Sequence, residues 1–489
     1  MPIWNKEKDM LYKEEYRPQY HFSAPRGWLN DPNGCIWYKG EYHIFYQYNP
    51  ESVFWDAMHW GHAVSRDMIH WENLPVALYP DENGTCFSGC CVIDKHDTTG
   101  FFEGGEGMVA IYSGHLDRPG QRCIEHQCLA YSRDCGRTWT KYDGNPVLTA
   151  PDTPDAPDFR DPKVFWHEET RKWVMFLGGG FYRVYTSDDL KKWELVSKSR
   201  IFEEYPDISR MKVTNTGETK YVLNLAGFKY FIGDFDGKKF IREEGPYTAD
   251  YADGCQATQT FENMPDGRVA MLTWMRDGSR APSFPWRNSM AVCRELTLKK
   301  LPDGTHRMIQ VPVREIESLR EKIFEIRDLS VGKGENPLKD IRGRQNEITA
   351  DITPGKDTKE VVFSFLMNKD EHTDLVFDYE NGLLFLDYTA GNSPRWRNLQ
   401  TSMDQNYFLC PEPIKFKGKC YHAPMLYKDR IKAQILLDQS AVEILLWDGE
   451  MSFSFMIYGD ADADGMSVTA DGSMKINNIT VNKMKGIWD

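Results

Sequence analysis

Three carboxylates stand in turn motifs beside aromatic runs, and their residue types suit acid and base chemistry. Asp31 lies in the string Gly27–Gly34, Asp161 follows Arg160 and precedes a proline, and Glu204 precedes Tyr-Pro-Asp. One carboxylate that attacks and one carboxylic acid that donates a proton form the pair that retaining glycoside hydrolysis requires, with the carboxyl groups about 5 to 5.5 Å apart. The third carboxylate would then hold sugar hydroxyls.

Each of these groups also has a structural interpretation. Asp31 begins Asp-Pro-Asn-Gly, which by residue type alone forms a strong turn closed by the aspartate side chain. Asp161 could be an ion-paired turn residue beside Arg160, and Glu204 could belong to a solvated acidic loop. Glu203, directly before Glu204, is a competing candidate for the proton donor. The chemical interpretation needs a fold that brings distant loops together.

The elements that would position these loops are strands. Short runs rich in Val, Ile, Tyr, Phe and Trp recur between clusters of Gly, Pro, Asn and Asp, which predicts an all-β protein. A Ser-x-Asp turn followed by a tryptophan occurs three times, in Ser65–Trp71, Ser132–Trp139 and Ser187–Trp193. Such spacing is typical of β-propeller blades, although coincidence among hairpin turns is the alternative. Loops from separate blades meet at one end of a propeller axis, so the three carboxylates could converge there.

The chain divides into three parts. Residues 16–312 predict a propeller catalytic domain of five blades with about 60 residues each. Apolar residues at helical spacing in Val313–Ile323 predict a helical linker over 313–325. Strand patterns resume afterwards and predict a β-sandwich over 326–489. The expected fold is therefore a five-bladed β-propeller followed by a C-terminal β-sandwich.

Composition excludes several functions. The 489 residues carry 59 Lys and Arg against 73 Asp and Glu, a formal net charge of −14, so no basic surface is available for nucleic acid or an anionic membrane. Aromatic residues make up 13% of the chain, which suits a strand-rich or sugar-binding protein. The expected partner is therefore a small molecule, with a carbohydrate favoured by the aromatic content.

The sequence also favours a cytoplasmic location. Residues 1–10 are charged and lack the apolar region of a secretory signal, and no stretch is apolar enough for a membrane span. Eleven cysteines are scattered through apolar runs, which favours free buried thiols over disulfides. The sequence does not favour a zinc site, because the candidate ligands lack paired knuckle spacing: Cys86, Cys90, Cys91, Cys123, His126 and Cys128.

Six strings, in order, closely resemble glycoside hydrolase family 32, the invertase, levanase and inulinase group. They are Gly27–Gly34, Gln47–Pro50, His59–Ser65, Phe87–Gly89, Phe159–Val164 and Glu204–Asp207. In the second domain, Asp438–Glu443 looks like the sandwich signature of the same family. The resemblance covers most of the chain, and six ordered strings are far more specific than one turn motif.

The resemblance implies a five-bladed propeller and a sandwich that act, without cofactor or metal, on terminal β-D-fructofuranosyl units with retention. Position by position, Asp31 would be the nucleophile, Glu204 the general acid/base and Asp161 the transition-state stabiliser. Trp286 lies in a segment like one near the fifth blade of the family, either as an aromatic platform or as a packed residue. Other positions match residues that line the fructose pocket: Asn30, Gln47, Trp55, Phe87, Ser88 and Arg160.

The chain departs from the family pattern at several places. Tyr205 stands where the family usually has cysteine after the acid/base glutamate. Cys90 replaces a usual serine, and Gly254 and Gln256 replace an acid and a tyrosine expected near the pocket rim. These changes leave open how the pKa of Glu204 is tuned and which leaving group is preferred.

The resulting prediction is a retaining β-fructofuranosidase that releases terminal non-reducing fructosyl units from sucrose and fructo-oligosaccharides. The alternatives are an exo-acting levanase or inulinase, a fructosyltransferase, and, from another class, a carbohydrate-binding propeller without catalysis. Loss of a carboxylate would mark that last class, and all three are present. Linkage preference, chain length preference and oligomeric state stay open.

Overall fold

The computed structural model describes residues 11–118, 120–151, 158–202, 204–252, 254–276, 281–393 and 420–488. Strands make up nearly all of the regular structure in these ranges, with one short 3₁₀ helix at Arg314–Leu319. The prediction of an all-β protein is confirmed. Within the described residues, no helix is both long enough and apolar enough to cross a bilayer.

The first half of the chain forms five antiparallel sheets in sequence order. Their strands are β1 (Gly27–Tyr38), β2 (Glu41–Asn49), β3 (His59–Ser65), β4 (Trp71–Leu78); β5 (Thr85–Asp94), β6 (Gly107–Leu116), β7 (Ile124–Ser132), β8 (Thr140–Lys141), β9 (Leu148–Thr149); β10 (Arg160–His167), β11 (Lys172–Gly178), β12 (Phe181–Ser187), β13 (Glu194–Phe202); β14 (Pro206–Lys212), β15 (Thr219–Leu225), β16 (Lys229–Phe235), β17 (Phe240–Thr248); and β18 (Cys255–Thr260), β19 (Val269–Met275), β20 (Trp286–Arg287), β21 (Ser289–Met290), β22 (Arg294–Lys300), β23 (His306–Pro312).

These sheets are the blades of a propeller. The first strands of the five sheets, β1, β5, β10, β14 and β18, contact one another in a closed ring around a common axis. The ring is sealed by β20, which follows β19 in the chain but belongs to the first sheet. It pairs in parallel with β1, Gly27 opposite Trp286 and Trp28 opposite Arg287. The prediction of five blades is therefore confirmed, and the first strand of every blade lines the axis.

The Ser-x-Asp repeats occupy equivalent places in three blades. Each serine ends the third strand of its blade, and its hydroxyl donates to the aspartate two residues later. The pairs are Ser65 with Asp67 at 3.0 Å, Ser132 with Asp134 at 2.8 Å, and Ser187 with Asp189 at 3.2 Å. The repeat is thus a genuine blade signature that fixes the turn into the outermost strand.

The second half of the chain forms two further sheets. Their strands are β24 (Arg320–Val331), β25 (Asn346–Pro354), β26 (Glu360–Met367), β27 (Thr373–Asp378), β28 (Leu383–Asp387), β29 (Cys420–Pro424), β30 (Ile431–Leu437), β31 (Ala441–Leu446), β32 (Met451–Met456), β33 (Gly465–Ala470) and β34 (Met474–Met484). One sheet has the order β24-β34-β25-β30-β31-β32 and the other β29-β28-β27-β26-β33. Alternating apolar residues of both sheets, such as Phe363, Phe377 and Phe453, share one core, as in a β-sandwich.

The helical linker predicted over 313–325 is wrong for most of its length. Only Arg314–Leu319 is helical, and it is a 3₁₀ helix. From Arg320 the chain is already strand β24, which pairs with β34 from Arg320 opposite Met484 to Val331 opposite Met474. Pairing with a full-length neighbour outweighs the weak helical spacing of a short charged segment.

A buried charge network joins the two domains. The ring of His21, which precedes the first blade, lies between two sandwich carboxylates, with Nδ1 2.9 Å from Asp438 Oδ2 and Nε2 2.9 Å from Glu443 Oε1. Arg294, in the fifth blade, donates Nε–H to Glu443 Oε2 at 2.9 Å. All four side chains are almost fully inaccessible, so the domains are held by paired buried charges as well as by apolar packing.

Candidate active site

The axial strands are irregular at one end of the propeller, where the predicted site residues lie. In β1 the pairing with β2 shifts between Leu29 and Pro32, around Asp31. In β10 it shifts between Arg160 and Lys163, and in β5 between Cys86 and Gly89. Bulges of this kind turn a side chain away from the regular alternation. Three blades therefore aim Asp31, Ser88 and Asp161 into the same end of the axis.

Arg160 connects the candidate carboxylates. Its guanidinium lies 3.8 Å from Asp161 Oδ2 through Nε and 3.7 Å from Glu204 Oε2 through Nη2. Its Nη1 atom is 2.9 Å from Glu125 Oε1 and 3.0 Å from Asp158 Oδ1. The Arg160 cation therefore lies close to four carboxylates. These belong to the second and third blades and to the segments that lead into the third and fourth blades. Asp161 and Glu204 are brought together as the sequence predicts.

Glu125 is the buried anchor of Arg160. Besides Arg160, its carboxylate accepts the Phe159 backbone N–H at 2.5 Å and faces His115 Nδ1 at 3.1 Å. Although burial opposes ionisation, the bond with His115 and the charge of Arg160 hold the pKa of Glu125 below its ordinary value. The same contact raises the pKa of His115 against the effect of burial. His115, Glu125 and Arg160 thus form one continuous line of contacts.

Asp31 has the donors that a nucleophilic carboxylate needs. Ser88 donates its hydroxyl hydrogen to Asp31 Oδ2 at 2.6 Å. Burial raises the pKa of Asp31, while the hydrogen bonds from Ser88 and Asn30 and the charge of Arg160 oppose that rise. These donors favour the ionised carboxylate, which is the form that attacks carbon.

Asp161 lies deeper and carries backbone strain. Its side chain is 6% exposed, its φ is +62°, and its N–H donates to Ser113 Oγ at 3.1 Å. Burial raises the pKa of Asp161 well above the ordinary value, and the charges of Asp31 and Glu204 add to the rise against Arg160. Among the described residues, no side chain donates a hydrogen bond to this carboxylate. Sugar hydroxyls could fill that place.

Glu204 is the open member of the set. Its side chain is 55% exposed, unlike that of Asp161. Burial of the carboxyl raises the pKa of Glu204, Arg160 lowers it, and the charge of Asp31 raises it again. A raised pKa in an accessible carboxyl suits a group that must give a proton and later take one back. The competing candidate Glu203 lies outside the described residues.

Aromatic rings form a wall beside these carboxylates. Trp55, 41% exposed, meets Phe87 edge to face at 5.7 Å between ring centroids. Phe87 in turn stacks on His115 at 4.2 Å with the planes 9° apart. The buried amide of Gln47 donates to the Cys86 carbonyl at 2.9 Å, one residue before Phe87. The wall therefore connects the exposed rim to the His115–Glu125–Arg160 line.

The Asn30 side chain is held by Trp28, two residues earlier on β1. Its Oδ1 atom accepts the indole N–H of Trp28 at 2.7 Å, and its amide contributes to the environment of Asp31. Asn30 and Ser88 are both nearly buried. Both therefore donate hydrogen bonds to the Asp31 carboxylate, which fits their predicted place in the pocket.

Trp286 is a correction to the predicted binding set. Its ring is 1% exposed, and Arg17 lies over it at 4.7 Å from the centroid. Tyr16 and Tyr458 pack in the same cluster, at the seam between the domains. With no open face for a sugar, Trp286 is a packed residue, which is the second of the two alternatives considered for it.

Packing also explains why a glycine stands at position 254, where the chain departs from the family pattern. A Cβ atom at Gly254 would lie 2.1 Å from the Ser454 carbonyl oxygen on β32, so the sandwich leaves no space for a side chain there. The neighbouring Asp250 accepts the Ser454 hydroxyl at 2.7 Å. Gln256 Oε1 accepts from Arg276 Nη1 at 3.2 Å. Gly254 therefore lets the fifth blade touch the sandwich.

Sequence reasoning missed Glu125 and His115. Glu125 begins the run Glu-His-Gln immediately before the buried segment 128–130 on β7. A charged residue entering a buried strand is a signal that could have found it, since buried carboxylates are paired. Its partners His115 and Arg160 come from β6 and β10, which no local pattern reveals.

A cavity of about 470 Å³ lies at the opposite end of the axis. It is lined by the last residues of the axial strands, including Ile93, Phe165 and Phe261. Between it and the carboxylates, Lys163 Nζ lies 2.9 Å from Asp207 Oδ1 and 2.7 Å from Glu262 Oε1. Within the described part of the chain, no group of three or more His, Cys, Asp or Glu is arranged for a metal ion.

Comparison with known families decides the chemistry of this site. The model of the glycosyl hydrolases family 32 N-terminal domain matches residues 21–312, and that of the family 32 C-terminal domain matches residues 315–483. The chain belongs to glycosyl hydrolase family 32. It is therefore a glycosidase, and the resemblance found in the six sequence strings is confirmed.

Similar proteins align with nearly the whole chain. A levanase from Bacillus subtilis (strain 168) is 37% identical over 98% of this chain and 72% of its own length. A levanase from Bacillus sp. (strain L7) is 33% identical over 98% of this chain, which spans 53% of that protein. The crystal structure of exo-inulinase from Aspergillus awamori matches 98% of this chain and 100% of its own, with a TM-score of 0.83 and 28% identity. The propeller-plus-sandwich fold is confirmed.

Proposed function

We propose that this family 32 glycosidase is an exo-acting β-fructosidase that releases terminal non-reducing β-D-fructofuranosyl units with retention. The observation that carries the proposal is the convergence of Asp31, Asp161 and Glu204 around Arg160 at one end of the propeller axis. The fructan-cleaving names of its relatives supply the substrate class. Two carboxyl groups with distinct surroundings supply the acid and the nucleophile.

In the first step the Asp31 carboxylate attacks the anomeric carbon of the fructosyl unit. The bond to the glycosidic oxygen breaks, and that oxygen leaves with the proton of Glu204. Ser88 keeps Asp31 oriented by its 2.6 Å hydrogen bond. Asp161 accepts hydrogen bonds from sugar hydroxyls, and Arg160 offsets the negative charge of the assembled carboxylates.

In the second step the ionised Glu204 takes a proton from water. The water oxygen attacks the anomeric carbon, the bond to Asp31 breaks, and fructose leaves with its original configuration. Glu204 is suited to this exchange because its side chain is 55% exposed and can meet both leaving group and water. A sugar hydroxyl in place of water would give fructosyl transfer, the second candidate activity.

The range of substrates is part of the proposal. We propose short fructo-oligosaccharides and sucrose as substrates, with levan and inulin as the exo-fructanase alternative. The aromatic wall of Trp55 and Phe87 supports a sugar bound beside the carboxylates. Sequence similarity to levanases favours β-2,6 linkages, and structural similarity to an exo-inulinase favours β-2,1 linkages.

Fructose release from sucrose, 1-kestose, inulin and levan tests this function. Asp31→Asn should reduce kcat by at least about a thousandfold on every substrate, because it removes the attacking oxygen. The control Asp303→Asn changes the charge equally in the exposed turn between β22 and β23, and should leave activity unchanged. Retained turnover in Asp31→Asn, or release of internal oligosaccharides alone, would contradict the proposal.

We propose a cytoplasmic location as well. Ten cysteines of the described ranges are free thiols, and seven of them are buried. Such thiols persist best where disulfides do not form. Fractionation of the native host should place the activity with a cytoplasmic marker, and recovery of the activity from the culture medium of intact cells would contradict this.

A further inference from the structure

The residue after the proposed acid/base group has its side chain folded underneath the site. Tyr205 is 5% exposed, whereas Glu204 beside it projects into the open. The φ of Tyr205 is +48°, a left-handed backbone conformation that a tyrosine rarely adopts, and Pro206 follows it. This conformation sends two neighbouring side chains in opposite directions, one toward substrate and one toward the propeller axis.

The phenol of Tyr205 makes two hydrogen bonds across the axis. It donates to the carbonyl of Pro32, the residue after Asp31 in the first blade. It accepts from Gln259 Nε2 in the fifth blade at 3.2 Å. Since Tyr205 itself enters the fourth blade, one hydroxyl joins the turn of the acid/base group to the strand of the nucleophile.

Gln259 extends this connection to the remaining wall of the site. Its Nε2 atom also donates to the Gly89 carbonyl at 3.0 Å, and Gly89 follows Ser88, the donor to Asp31. Its Oε1 atom accepts the Cys35 N–H at 2.9 Å, further along β1. The Tyr205 hydroxyl and the side-chain amide of Gln259 therefore connect the backbone segments that carry Asp31, Ser88 and Glu204.

We propose that Tyr205 is a positioning residue whose hydroxyl, together with Gln259, fixes the separation of Glu204 from Asp31. The inference rests on the proposed function and deepens it by naming what holds the acid/base pair in register. The Tyr205 hydroxyl is already engaged by the Pro32 carbonyl and Gln259 Nε2, so it acts through Glu204 and Asp31. Small changes in such a separation alter rate strongly, because proton transfer from Glu204 to the leaving oxygen depends on it, whereas Asp31 keeps its own hydrogen bond from Ser88.

Loss of the hydroxyl has a defined effect on proton transfer. Burial and the charge of Asp31 keep the pKa of Glu204 raised, and Arg160 opposes them. When the turn is released, Glu204 moves toward solvent and away from Asp31, so its pKa falls toward the ordinary value. The acid then loses its proton at lower pH, and the alkaline limb of the kcat profile moves to lower pH.

Tyr205→Phe tests the proposal because it keeps the ring and removes the hydroxyl. We expect kcat for sucrose to fall by about tenfold, the KM to change by less than about twofold, and the alkaline limb to move to lower pH. Tyr230→Phe is the matched control. It removes another buried hydroxyl in the fourth blade, one that accepts the Met308 N–H at 3.2 Å away from the carboxylates. The control should lose stability to a similar extent without a change in the pH profile.

A substrate that needs no proton donor separates this role from general damage. With β-fructosyl fluoride, whose leaving group departs unprotonated, the rate of enzyme fructosylation by Tyr205→Phe should approach the wild-type rate. Gln259→Met, which removes the partner of the hydroxyl, should reproduce the shifted pH limb if Tyr205→Phe does not fold. A pH profile like that of the control in both variants would overturn the proposal. Wild-type turnover in Asp31→Asn would instead overturn the proposed function, whatever Tyr205→Phe does.

Discussion

Arg160 supplies the positive charge at the centre of the carboxylate cluster. Four carboxylate groups lie within 4 Å of its guanidinium, and two of them, Asp161 and Glu204, are proposed to act on substrate. Although burial opposes it, the charges of Asp161 and Glu125 keep the pKa of Arg160 raised, so the guanidinium stays charged. A permanent cation lets several carboxylates share a confined space without all being protonated.

Glu125→Gln should weaken catalysis without touching substrate. The amide keeps the shape but loses the charge that holds Arg160 at 2.9 Å and the Phe159 N–H at 2.5 Å. A charge-assisted hydrogen bond contributes roughly 1.5 to 3 kcal/mol, so we expect kcat/KM to fall about 10- to 100-fold. Steady-state kinetics on 1-kestose measures this.

A surface pair provides the control for Glu125→Gln. Glu103, 84% exposed, lies 3.5 Å from Arg133, and Glu103→Gln should leave kcat/KM unchanged because exposed pairs contribute little. Equal effects of the two substitutions would show that Glu125 has no special role in holding Arg160.

At this scale, the sequence predicted the residues that sit in turn motifs and missed those that support them from other blades. Asp31, Asp161 and Glu204 could be predicted because a proline follows each within two residues, in a recognisable turn. Glu125 and the hydroxyl contacts of Tyr205 could not, because they join strands far apart in sequence. Trp286 is predicted as a binding residue from the resemblance of its segment to one near the fifth blade of the family, and an aromatic residue type does not distinguish a packed ring from an open one.

At the scale of elements, the bulges of the axial strands position the site. The bulge in β5 places Ser88 toward Asp31 because the strand irregularity falls between Cys86 and Gly89. Gly89 permits this course, since a Cβ atom there would lie 2.0 Å from the Ile111 carbonyl oxygen. At Gly89, β5 therefore approaches β6 more closely than a residue with a Cβ atom would allow.

Gly89→Ala should damage both stability and activity. The added methyl group must push β5 away from β6, which costs about 1 to 3 kcal/mol of unfolding free energy, and Ser88 moves with the strand. Urea unfolding and kcat measured together check this. Gly332→Ala, whose Cβ would have no neighbour nearer than 3.5 Å, is the control and should change stability by less than about 0.5 kcal/mol. Full activity in a destabilised Gly89→Ala would show that the bulge does not position Ser88.

Strands were easier to predict than the one helical segment. The blade strands alternate or run apolar between turn residues, and the structure has them where the patterns lie. The segment after Val313 mixes both periods: Ile316 and Leu319 are buried at a spacing of three, and Phe324 and Ile326 alternate with exposed residues in β24. Pairing with β34 makes this segment a strand. A local sequence pattern cannot reveal that partner, because β34 lies near the other end of the sequence.

At the scale of the whole molecule, buried charges connect the propeller to the sandwich. His21 lies between Asp438 and Glu443, and Arg294 approaches Glu443 from the fifth blade. Although burial opposes it, the hydrogen bonds that the His21 ring donates to Asp438 and Glu443 raise the pKa of His21 to about 9. Burial opposes ionisation of Glu443 as well, but Arg294 and His21 lower the pKa of Glu443 to about 2.

The pH dependence of stability follows from these shifts. Since the pKa of His21 is raised from about 6.5 in the unfolded chain, its contribution is complete below about pH 6.5 and is lost as pH rises through about 9. The free energy of unfolding should therefore fall between these values by a few kcal/mol. His21→Gln should flatten that fall, as followed by urea unfolding at each pH.

The control for the pH experiment is His70→Gln. His70 faces Asp67 at 2.8 Å but is 52% exposed, so solvent screens the pair and the alkaline fall should persist in this variant. An unchanged alkaline fall in His21→Gln would show that another group in the interface carries the effect, with Tyr20 beside Asp438 the first to examine.

The central claim is that Asp31 forms a covalent bond to the fructosyl unit, and trapping that bond tests it most directly. In Glu204→Ala, β-fructosyl fluoride can still react because its leaving group needs no acid, but water is no longer activated, so the intermediate should accumulate. Intact mass and peptide mapping after rapid denaturation should find one fructosyl unit on the peptide that contains Asp31. A fructosyl unit on another carboxylate, or methanolysis that yields the inverted fructoside without any adduct, would contradict the account.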